Sequence, residues 1–362
     1  MVFRRTFMQA GLLVAFPAFS ALPAFGNEAG MNFPRDFGAH NETGLEWWYL
    51  TGILNDAAGA PRYGYQLTFF RLKGPATVDH PSAFAARQML LGHAALSDLG
   101  AGRLRHDQRI ARSGFNIAEA DSTDTNVRMH DWSLRRTAEG YRASLRSAAQ
   151  GFALDLQLKT TQPVLLQGVD GLSRKGPQPG QFSHYYSQVQ LTTSARLEVD
   201  GKPPVTLQGR SWLDHEWSDQ LLGLPGSDQA VGWDWAGLNL DDGGALTIFR
   251  LRRPDGSVLW AGGSWRKPDG RTLDFKPGDI TMTPLRRWHS PASQADYPVD
   301  WSLQTPLGTL TLKALIDAQE IDARMSTGMR YWEGAAMLRG ADGKRLGIGY
   351  LELTGYAGKL GL

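Results

Sequence analysis

Residues 152–159 read Phe-Ala-Leu-Asp-Leu-Gln-Leu-Lys, with an apolar residue at every second position. Successive side chains of a β-strand point to opposite faces, so this alternation predicts a strand with one buried and one solvated face. The same period recurs in 63–69, 89–95 and 310–314. Asp-Gly pairs, which suit tight hairpin turns, recur between patterned segments. Since no segment predicts a helix longer than about three turns, we predict an all-β antiparallel fold.

The composition limits the classes of protein that this chain can belong to. It has 362 residues, 38 Lys and Arg, 36 Asp and Glu, and no cysteine. The length suits one large domain or two modest ones. The absence of cysteine excludes disulfides, thiolate metal sites and cysteine nucleophiles. The charges balance once Arg4 and Arg5 are left out, so we expect no nucleic-acid partner.

The first 26 residues have the layout of an export signal. Arg4 and Arg5 precede an apolar stretch, 10–25, that ends in small residues. This stretch is shorter than the roughly 20 apolar residues of a typical transmembrane helix. The paired arginines, followed by Thr-Phe-Met, resemble a twin-arginine signal, which implies export of a folded chain. An ordinary Sec signal is the alternative. Either one predicts that 1–26 is cleaved and that the mature protein is periplasmic.

Two internal sequence repeats indicate a duplication. Leu-Thr-Phe-Phe-Arg-Leu at 67–72 returns as Leu-Thr-Ile-Phe-Arg-Leu at 246–251, and each copy follows a tryptophan-rich strand. Spacing to the next glycine aligns Trp48 with Trp233. A second pair of similar segments closes each half in the same order.

These repeats predict two related β domains, 31–219 and 228–362, joined through 218–230. The alternative is a single long sandwich in which the motifs coincide by chance. We expect the protein to be a monomer.

Aromatic residues cluster beside carboxylates and imidazoles along the chain. An aromatic-lined cavity with a few polar groups is typical of an apolar-ligand site in a β-barrel. The alternative is an inter-domain core in which the acids accept hydrogen bonds from indole N–H groups. We predict that the ligand-binding residues are Glu46, Trp47, Trp48, Tyr49, Tyr185, Tyr186, Trp217, Trp233, Trp235, Tyr331 and Trp332.

The chain lacks the common hydrolase and metalloprotease motifs. There is no Gly-x-Ser-x-Gly elbow, and His215-Glu216 is followed by Trp-Ser-Asp, not by the x-x-His of a zinc site. Metal binding by His40, Glu42 and His215 is an open alternative, because imidazole and carboxylate together hold divalent ions. We expect no resident metal or cofactor.

The densest group of ionisable residues predicts acid catalysis. A carboxylic acid walled by tryptophans has a raised pKa and can donate a proton near neutral pH. The ring faces can stabilise a developing cation. This suits protonation of an electron-rich double bond and capture of water, with His or Glu orienting the water. The catalytic candidates are Asp214, His215, Glu216 and Asp234. A buried hydrogen-bond network of Asp214 with His215 is the structural alternative.

Several motifs together resemble one known family. They are Phe33-Pro-Arg-Asp36 through His40, Glu46-Trp-Trp-Tyr-Leu-Thr-Gly52, Tyr185-Tyr-Ser187, Trp212-Leu-Asp-His-Glu-Trp217, Gly232-Trp-Asp-Trp235, Tyr331-Trp-Glu-Gly334 and Gly349-Tyr-Leu-Glu-Leu-Thr-Gly-Tyr356. They resemble the carotenoid 1,2-hydratase (hydroxyneurosporene synthase) and AttH-like family of lipocalin-like secreted proteins. The resemblance covers essentially the whole mature chain.

The resemblance implies a fold, a ligand class and a chemistry. The fold is two lipocalin-like antiparallel β-barrels side by side, and the ligand is a carotenoid, terpenoid or lipid. For the carotenoid members the reaction is cofactor-free, acid-catalysed hydration of a terminal isoprenoid double bond. His215 and Trp217 match the family's His-x-Trp feature, and Asp234 matches the acid of its Trp-Asp-Trp strand.

The export signal is similar to that of the periplasmic AttH-type branch, which is frequently associated with lipoprotein-type ABC transporters. The sequence therefore leaves three alternative functions open. The first is a hydratase acting on an apolar ligand. The second is a non-catalytic lipid carrier or accessory protein with an ABC transporter as partner. The third is a secreted hydrolase.

Overall fold

The structure is a computed structural model, and it describes residues 30–76, 79–82, 84–219 and 230–358. The predicted signal and most of the predicted linker lie outside the described residues. Met31–Leu362 is one compact unit. Within the described part of the chain, no helix has the length and hydropathy needed to cross a membrane.

The described chain folds into two antiparallel sheets, which confirms the prediction of an all-β, lipocalin-like fold. The first sheet has 13 strands: β1 Leu45–Asn55, β2 Pro61–Lys73, β3 Gln88–Asp98, β4 Arg103–Arg112, β5 Ala118–Ala120, β6 Asn126–Met129, β7 Trp132–Thr137, β8 Gly140–Ser147, β9 Phe152–Lys159, β10 Leu165–Leu166, β11 Leu172–Arg174, β12 Phe182–Val199 and β13 Val205–Ser218. The second has 10: β14 Gly232–Leu240, β15 Ala245–Arg252, β16 Val258–Arg266, β17 Thr272–Phe275, β18 Thr281–His289, β19 Asp296–Thr305, β20 Gly308–Ala314, β21 Glu320–Ala323, β22 Met329–Arg339 and β23 Arg345–Leu353. Two single-turn 3₁₀ helices are also present, Arg35–Phe37 and Pro277–Asp279.

The two sheets share one order of strands. The first runs β4-β3-β2-β1-β13-β12-β9-β8-β7-β6-β5, and the second runs β17-β16-β15-β14-β23-β22-β20-β19-β18. In each sheet, the first four strands of that half form a meander, β1–β4 or β14–β17. The first strand of the meander pairs with the last strand of the half, so β1 pairs with β13 and β14 pairs with β23. A duplicated β unit would give this repeated order, although the domain limits 31–219 and 228–362 stay a prediction.

The strand register defines which residues are equivalent in the two sheets. Trp47 of β1 pairs with Phe70 of β2, and Trp235 of β14 pairs with Phe249 of β15. These partners come from the repeated Leu-Thr-x-Phe-Arg-Leu segments. Trp47 is therefore the counterpart of Trp235, and the alignment of Trp48 with Trp233 by glycine spacing is wrong, because the hairpin of β1 and β2 has longer strands than that of β14 and β15.

The buried apolar side chains of the described residues form four clusters, three of them large, and alternation along a strand decides which cluster each side chain joins. In β1, Trp48 and Leu50 lie in the core inside the first sheet, whereas Tyr49 and Ile53 lie in a cluster shared with the second sheet. A third core fills the inside of the second sheet. The strand at 152–159 alternates between buried and more exposed positions, as its sequence predicts. Full burial of each large apolar side chain stabilises the fold by about 1.5–3 kcal/mol.

Candidate functional site

Strand β13 separates the predicted site residues into two groups, because consecutive side chains of a strand point to opposite faces. Asp214 and Glu216 line a cavity between the two sheets. His215 points the other way and bonds to Glu46 inside the first sheet. We call the first group the junction cavity and the second the histidine network.

The junction cavity is mostly aromatic and has a volume of about 60 Å³. One water needs roughly 10–15 Å³ by this measure, so several waters or a compact chemical group can enter. The lining residues are Trp47, Tyr49, Thr68, Phe70, Lys175, Tyr185, Asp214, Glu216, Trp233, Trp235, Phe249, Leu251, Tyr331, Glu333 and Glu352.

Both sheets contribute to the cavity through equivalent positions. Trp47 pairs with Glu216 in the first sheet, and Trp235 pairs with Glu352 in the second. An indole and a carboxyl group from each sheet therefore line the same space. The space for these rings depends on Gly237, since a Cβ atom there would lie 2.4 Å from the Trp235 ring.

Asp214 is a buried acid held by neutral donors. Its Oδ1 accepts hydrogen bonds from Ser187 Oγ at 2.5 Å and from Trp212 Nε1 at 2.7 Å. Burial raises the pKa of Asp214 to about 8 and outweighs these hydrogen bonds. At neutral pH this carboxyl group is therefore largely protonated and can donate a proton.

Glu352 and Glu333 lie opposite each other on β23 and β22. Glu352 Oε2 accepts a hydrogen bond from Trp233 Nε1 at 2.9 Å, and burial raises the pKa of Glu352 to about 7. Burial, followed by the negative charge of Glu352, raises the pKa of Glu333 well above its ordinary value. The cavity thus contains three carboxyl groups that favour the protonated form.

Two polar atoms in the cavity, Tyr49 Oη and Glu333 Oε1, make no well-formed hydrogen bond among the described residues and have at most a weak one with each other. They are near enough to affect each other's pKa. Both residues are almost fully buried, with relative exposures of 6% and 2%. A buried polar group without a partner costs about 1–3 kcal/mol, so these two atoms are suited to bind a water or a polar ligand group.

Glu216 differs from the other acids because it has a cationic partner. Lys175 Nζ lies 2.8 Å from Glu216 Oε1, and Ser183 Oγ also donates a hydrogen bond to this oxygen. The ammonium group lies 4.4 Å from the ring centroid of Phe249 and 4.9 Å from that of Tyr185. This pair places one ionised carboxylate beside the protonated acids.

The histidine network is centred on Glu46, which is completely buried. Glu46 Oε1 lies 2.8 Å from His215 Nε2 and 2.9 Å from His40 Nδ1, while Arg71 Nε donates to Oε2 at 2.6 Å. Burial alone would raise the pKa of Glu46. The hydrogen bonds from both imidazoles and the charge of Arg71 instead hold that pKa far below its usual range.

The two imidazoles of this network have opposite protonation preferences. Burial tends to lower the pKa of His40, but hydrogen bonds to Asp36 and to the central glutamate raise it overall. Trp217 stacks on the His40 ring at 3.7 Å between centroids. Burial lowers the pKa of His215 despite its bond to the glutamate. Its Nδ1 lies 3.1 Å from Tyr186 Oη.

His40, Glu46 and His215 could also hold a metal ion, because their donor atoms lie within 4.8 Å of one another. Glu42, which the sequence grouped with the histidines, has a side chain that is 67% exposed, and it is not part of this cluster. Each inward-facing donor already has a hydrogen-bond partner, and Arg71 supplies the positive charge that a cation would otherwise bring. The arrangement therefore fits a proton-bearing network better than a metal centre.

Asp234 lies on the inner face of the second sheet, away from the junction cavity. Its Oδ2 pairs with Arg250 Nε at 2.6 Å and Arg252 Nε at 3.2 Å, and Tyr356 Oη donates to Oδ1 at 2.8 Å. By strand register it is the counterpart of Glu46, which pairs with an arginine at the matching position of β2. Both sheets thus contain a buried acid–arginine pair.

The predicted ligand-binding residues are divided among three places. The junction cavity contains Trp47, Tyr49, Tyr185, Trp233, Trp235 and Tyr331. The histidine network and its surroundings contain Glu46, Trp48, Tyr186 and Trp217. Trp332 lies in the core of the second sheet.

Sequence reasoning missed part of the cavity lining, namely Thr68, Phe70, Lys175, Phe249, Leu251, Glu333 and Glu352. One of these, Glu333, had a usable signal. Glu333 follows the predicted ligand residue Tyr331 by two positions on one strand, so both side chains must share a face. No comparable signal exists for Lys175, which lies in the connection between β11 and β12.

The two sheets and the aromatic cavity between them define a lipocalin-like all-β protein. Residues 26–356 match the model of the AttH-like family, and the chain belongs to that family. It is similar to the crystal structure of an AttH-like protein from Nitrosomonas europaea, with 41% identity over 91% of this chain and 98% of that one and a TM-score of 0.82.

The chain also shares its fold with kievitone hydratase from Nectria haematococca. Identity is 16% over 91% of this chain and 94% of that one, and the TM-score is 0.66. A search of curated proteins gave no match.

Proposed function

We propose that this AttH-like protein adds water to a carbon–carbon double bond of an apolar ligand bound in the junction cavity. The observation that carries the proposal is the set of buried carboxyl groups with raised pKa values, Asp214, Glu333 and Glu352, inside aromatic walls. A carboxylic acid that stays protonated near neutral pH is the group that protonation of an alkene requires.

Glu333 is the proton donor in this proposal, because its Oε1 makes no well-formed hydrogen bond among the described residues. Its O–H bond breaks as a new C–H bond forms at one alkene carbon. The positive charge then develops on the neighbouring carbon. The ring faces of Trp47 and Trp235 can stabilise that charge.

Water completes the addition. The Glu216 carboxylate, held by Lys175, accepts a hydrogen bond from the attacking water and orients its oxygen toward the cation. Once the C–O bond has formed, the surplus proton passes to the Glu333 carboxylate. The acid is thereby restored, and the net change is the addition of one water.

The comparison with kievitone hydratase supports this proposal at the level of the fold, since that protein's name describes addition of water. A carotenoid, terpenoid or lipid ligand is part of the proposal. So is a periplasmic location after cleavage of 1–26. N-terminal sequencing of the protein from a periplasmic fraction would check the location, with a mature chain expected to begin near Asn27.

Turnover can be tested with a panel of terpenoid and polyene alkenes in ¹⁸O-labelled water, with mass spectrometry of the extracted products. We expect products that have gained one labelled water. The Glu333→Gln variant should be at least about 100-fold slower, the typical contribution of a general acid. The matched control is Glu139→Gln, an exposed position between β7 and β8 that should retain full activity.

The rival function is a lipid carrier, with an ABC transporter as its partner. A carrier needs the apolar cavity but not the protonated acids. If no alkene of the panel gains water while the folded protein binds apolar molecules, the hydratase proposal fails and the carrier replaces it.

A further inference from the structure

The junction cavity has more carboxyl groups than basic side chains, and a bound cation would favour ionisation of the carboxyl groups that have no basic partner. Its four carboxyl groups belong to Asp214, Glu216, Glu333 and Glu352, and its one basic side chain is Lys175. Lys175 pairs with Glu216 at 2.8 Å. Across the described ranges, none of the other three acids lies within ion-pair distance of a basic side chain.

The walls of the cavity favour positive charge for a second reason. Indole and phenol rings carry negative potential on their faces, and tryptophan is the strongest of them. Trp47, Trp233 and Trp235 all line the cavity. Lys175 already demonstrates the preference, because its ammonium group lies over the Phe249 ring as well as beside its carboxylate.

The unpaired atoms in the cavity provide an independent sign of a ligand. Glu333 Oε1 and Tyr49 Oη are buried, make no well-formed hydrogen bond among the described residues and have at most a weak one with each other, and both residues line the cavity. A purely apolar ligand would leave these atoms unpaired at a cost. An anionic ligand would face three acids without a counter-ion. A cationic ligand would satisfy both the acids and the ring faces.

We propose that the junction cavity binds an organic cation with apolar substituents, of the quaternary ammonium kind. The inference rests on the proposed function only for the position of the ligand. It deepens that function because a carbocation formed by protonation of an alkene has the same charge and a similar apolar shape. A stable cation of this kind is then an analogue of the charged intermediate.

The test compares choline with 3,3-dimethylbutan-1-ol, which has the same shape but no charge. Binding is measured by calorimetry and by tryptophan fluorescence at about pH 8.5, above the pKa of about 7 of Glu352. We expect choline to bind at least about tenfold more tightly, a ratio that corresponds to roughly 1.4 kcal/mol. In the double variant Glu333→Gln/Glu352→Gln, which leaves no carboxylate at this pair, that ratio should fall to about threefold or less, whereas Glu139→Gln should retain it.

Equal affinity of the wild-type protein for the two probes would overturn the proposal, and this comparison needs no variant to fold. A preference for choline that survives in this double variant would also overturn it, because the charge would then be bound elsewhere. Neither probe is an alkene. The absence of hydration activity and the absence of cation binding are therefore separate outcomes.

Discussion

Glu333 and Glu352 are directly opposed carboxyl groups on adjacent strands, and both line the cavity between the sheets. Like charges opposite each other destabilise a sheet, and two buried carboxylates cannot both ionise cheaply. The pair therefore titrates as a unit, with at least one proton retained to a higher pH than an exposed glutamate would allow. This relationship provides the protonated acid of the proposed reaction and also affects the stability of the fold.

The first prediction concerns the pH dependence of stability in Glu352→Gln. In the unfolded chain Glu352 ionises near its ordinary pKa of 4.5, and in the folded protein near 7. Between these values the folded state holds the additional proton, so wild-type stability falls as pH rises and then levels off. Glutamine abolishes this fall and also eases ionisation of Glu333. We expect the variant to gain about 3 kcal/mol relative to wild type between pH 4.5 and pH 7.

Urea unfolding at several pH values measures the difference. The exposed variant Glu139→Gln serves as the control, and its free energy of unfolding should follow the wild-type curve. If the wild-type curve runs parallel to that of Glu352→Gln across this pH range, Glu352 and Glu333 ionise independently of each other, each near its ordinary pKa, and the prediction is wrong.

The second prediction concerns Glu46→Gln. The substitution leaves the fully buried Arg71 without a charged partner, and the amide has one acceptor oxygen where the carboxylate offers two, one to both imidazoles and one to Arg71. Breaking a buried ion pair costs about 3–5 kcal/mol, so thermal unfolding should shift by many degrees at neutral pH. Since the pKa of Glu46 is lowered in the folded state, this contribution is lost as pH falls below about 4.5. The difference between variant and wild type should therefore shrink in acid.

The matched control for this variant is Glu42→Gln, four residues earlier and exposed to solvent. Its stability should stay within about 0.5 kcal/mol of wild type. If Glu46→Gln unfolds at the wild-type temperature, the histidine network does not stabilise the first sheet.

The third prediction concerns metal removal. Because hydrogen bonds and Arg71 already satisfy His40, Glu46 and His215, a chelator should leave the melting temperature unchanged. Elemental analysis of the same sample provides the second readout. One divalent ion per chain, together with a fall in melting temperature on chelation, would assign a metal to the network in place of the shared protons.

The period-2 alternation was sufficient to predict the fold class, because side-chain direction in a strand follows from sequence position alone. The same rule predicts that Asp214 and Glu216 share a face that His215 does not. What it does not predict is which face meets the other sheet. The histidine network shows the limit, since Glu46 and His215 are 169 positions apart. Only the pairing of β1 with β13 brings them into contact.

The aromatic clustering was a partial guide to the cavity. Trp233 and Trp235 alternate with Asp234, and the structure directs both indoles into the cavity and the acid away from it. Strand register, which the sequence does not contain, made Trp47 the counterpart of Trp235. Lys175 could not be predicted for the same reason, because it approaches from a connection between strands.

The last prediction distinguishes Asp234 from Asp214, which the sequence alone treats as equivalent acids. Asp234→Asn leaves Arg250 and Arg252 without their carboxylate, so we expect a loss of about 3–5 kcal/mol in the free energy of unfolding. Hydration or cation binding per folded molecule should be unchanged, because this side chain faces the core of the second sheet. Asp214→Asn should do the opposite. It retains an acceptor for Trp212 and removes an acid whose pKa is raised from 3.8 to about 8, so stability relative to wild type should rise between these pH values and then level off, while cavity binding changes. Urea unfolding and choline titration on both variants check this contrast, and loss of cation binding in folded Asp234→Asn would place the ligand inside the second sheet instead of at the junction.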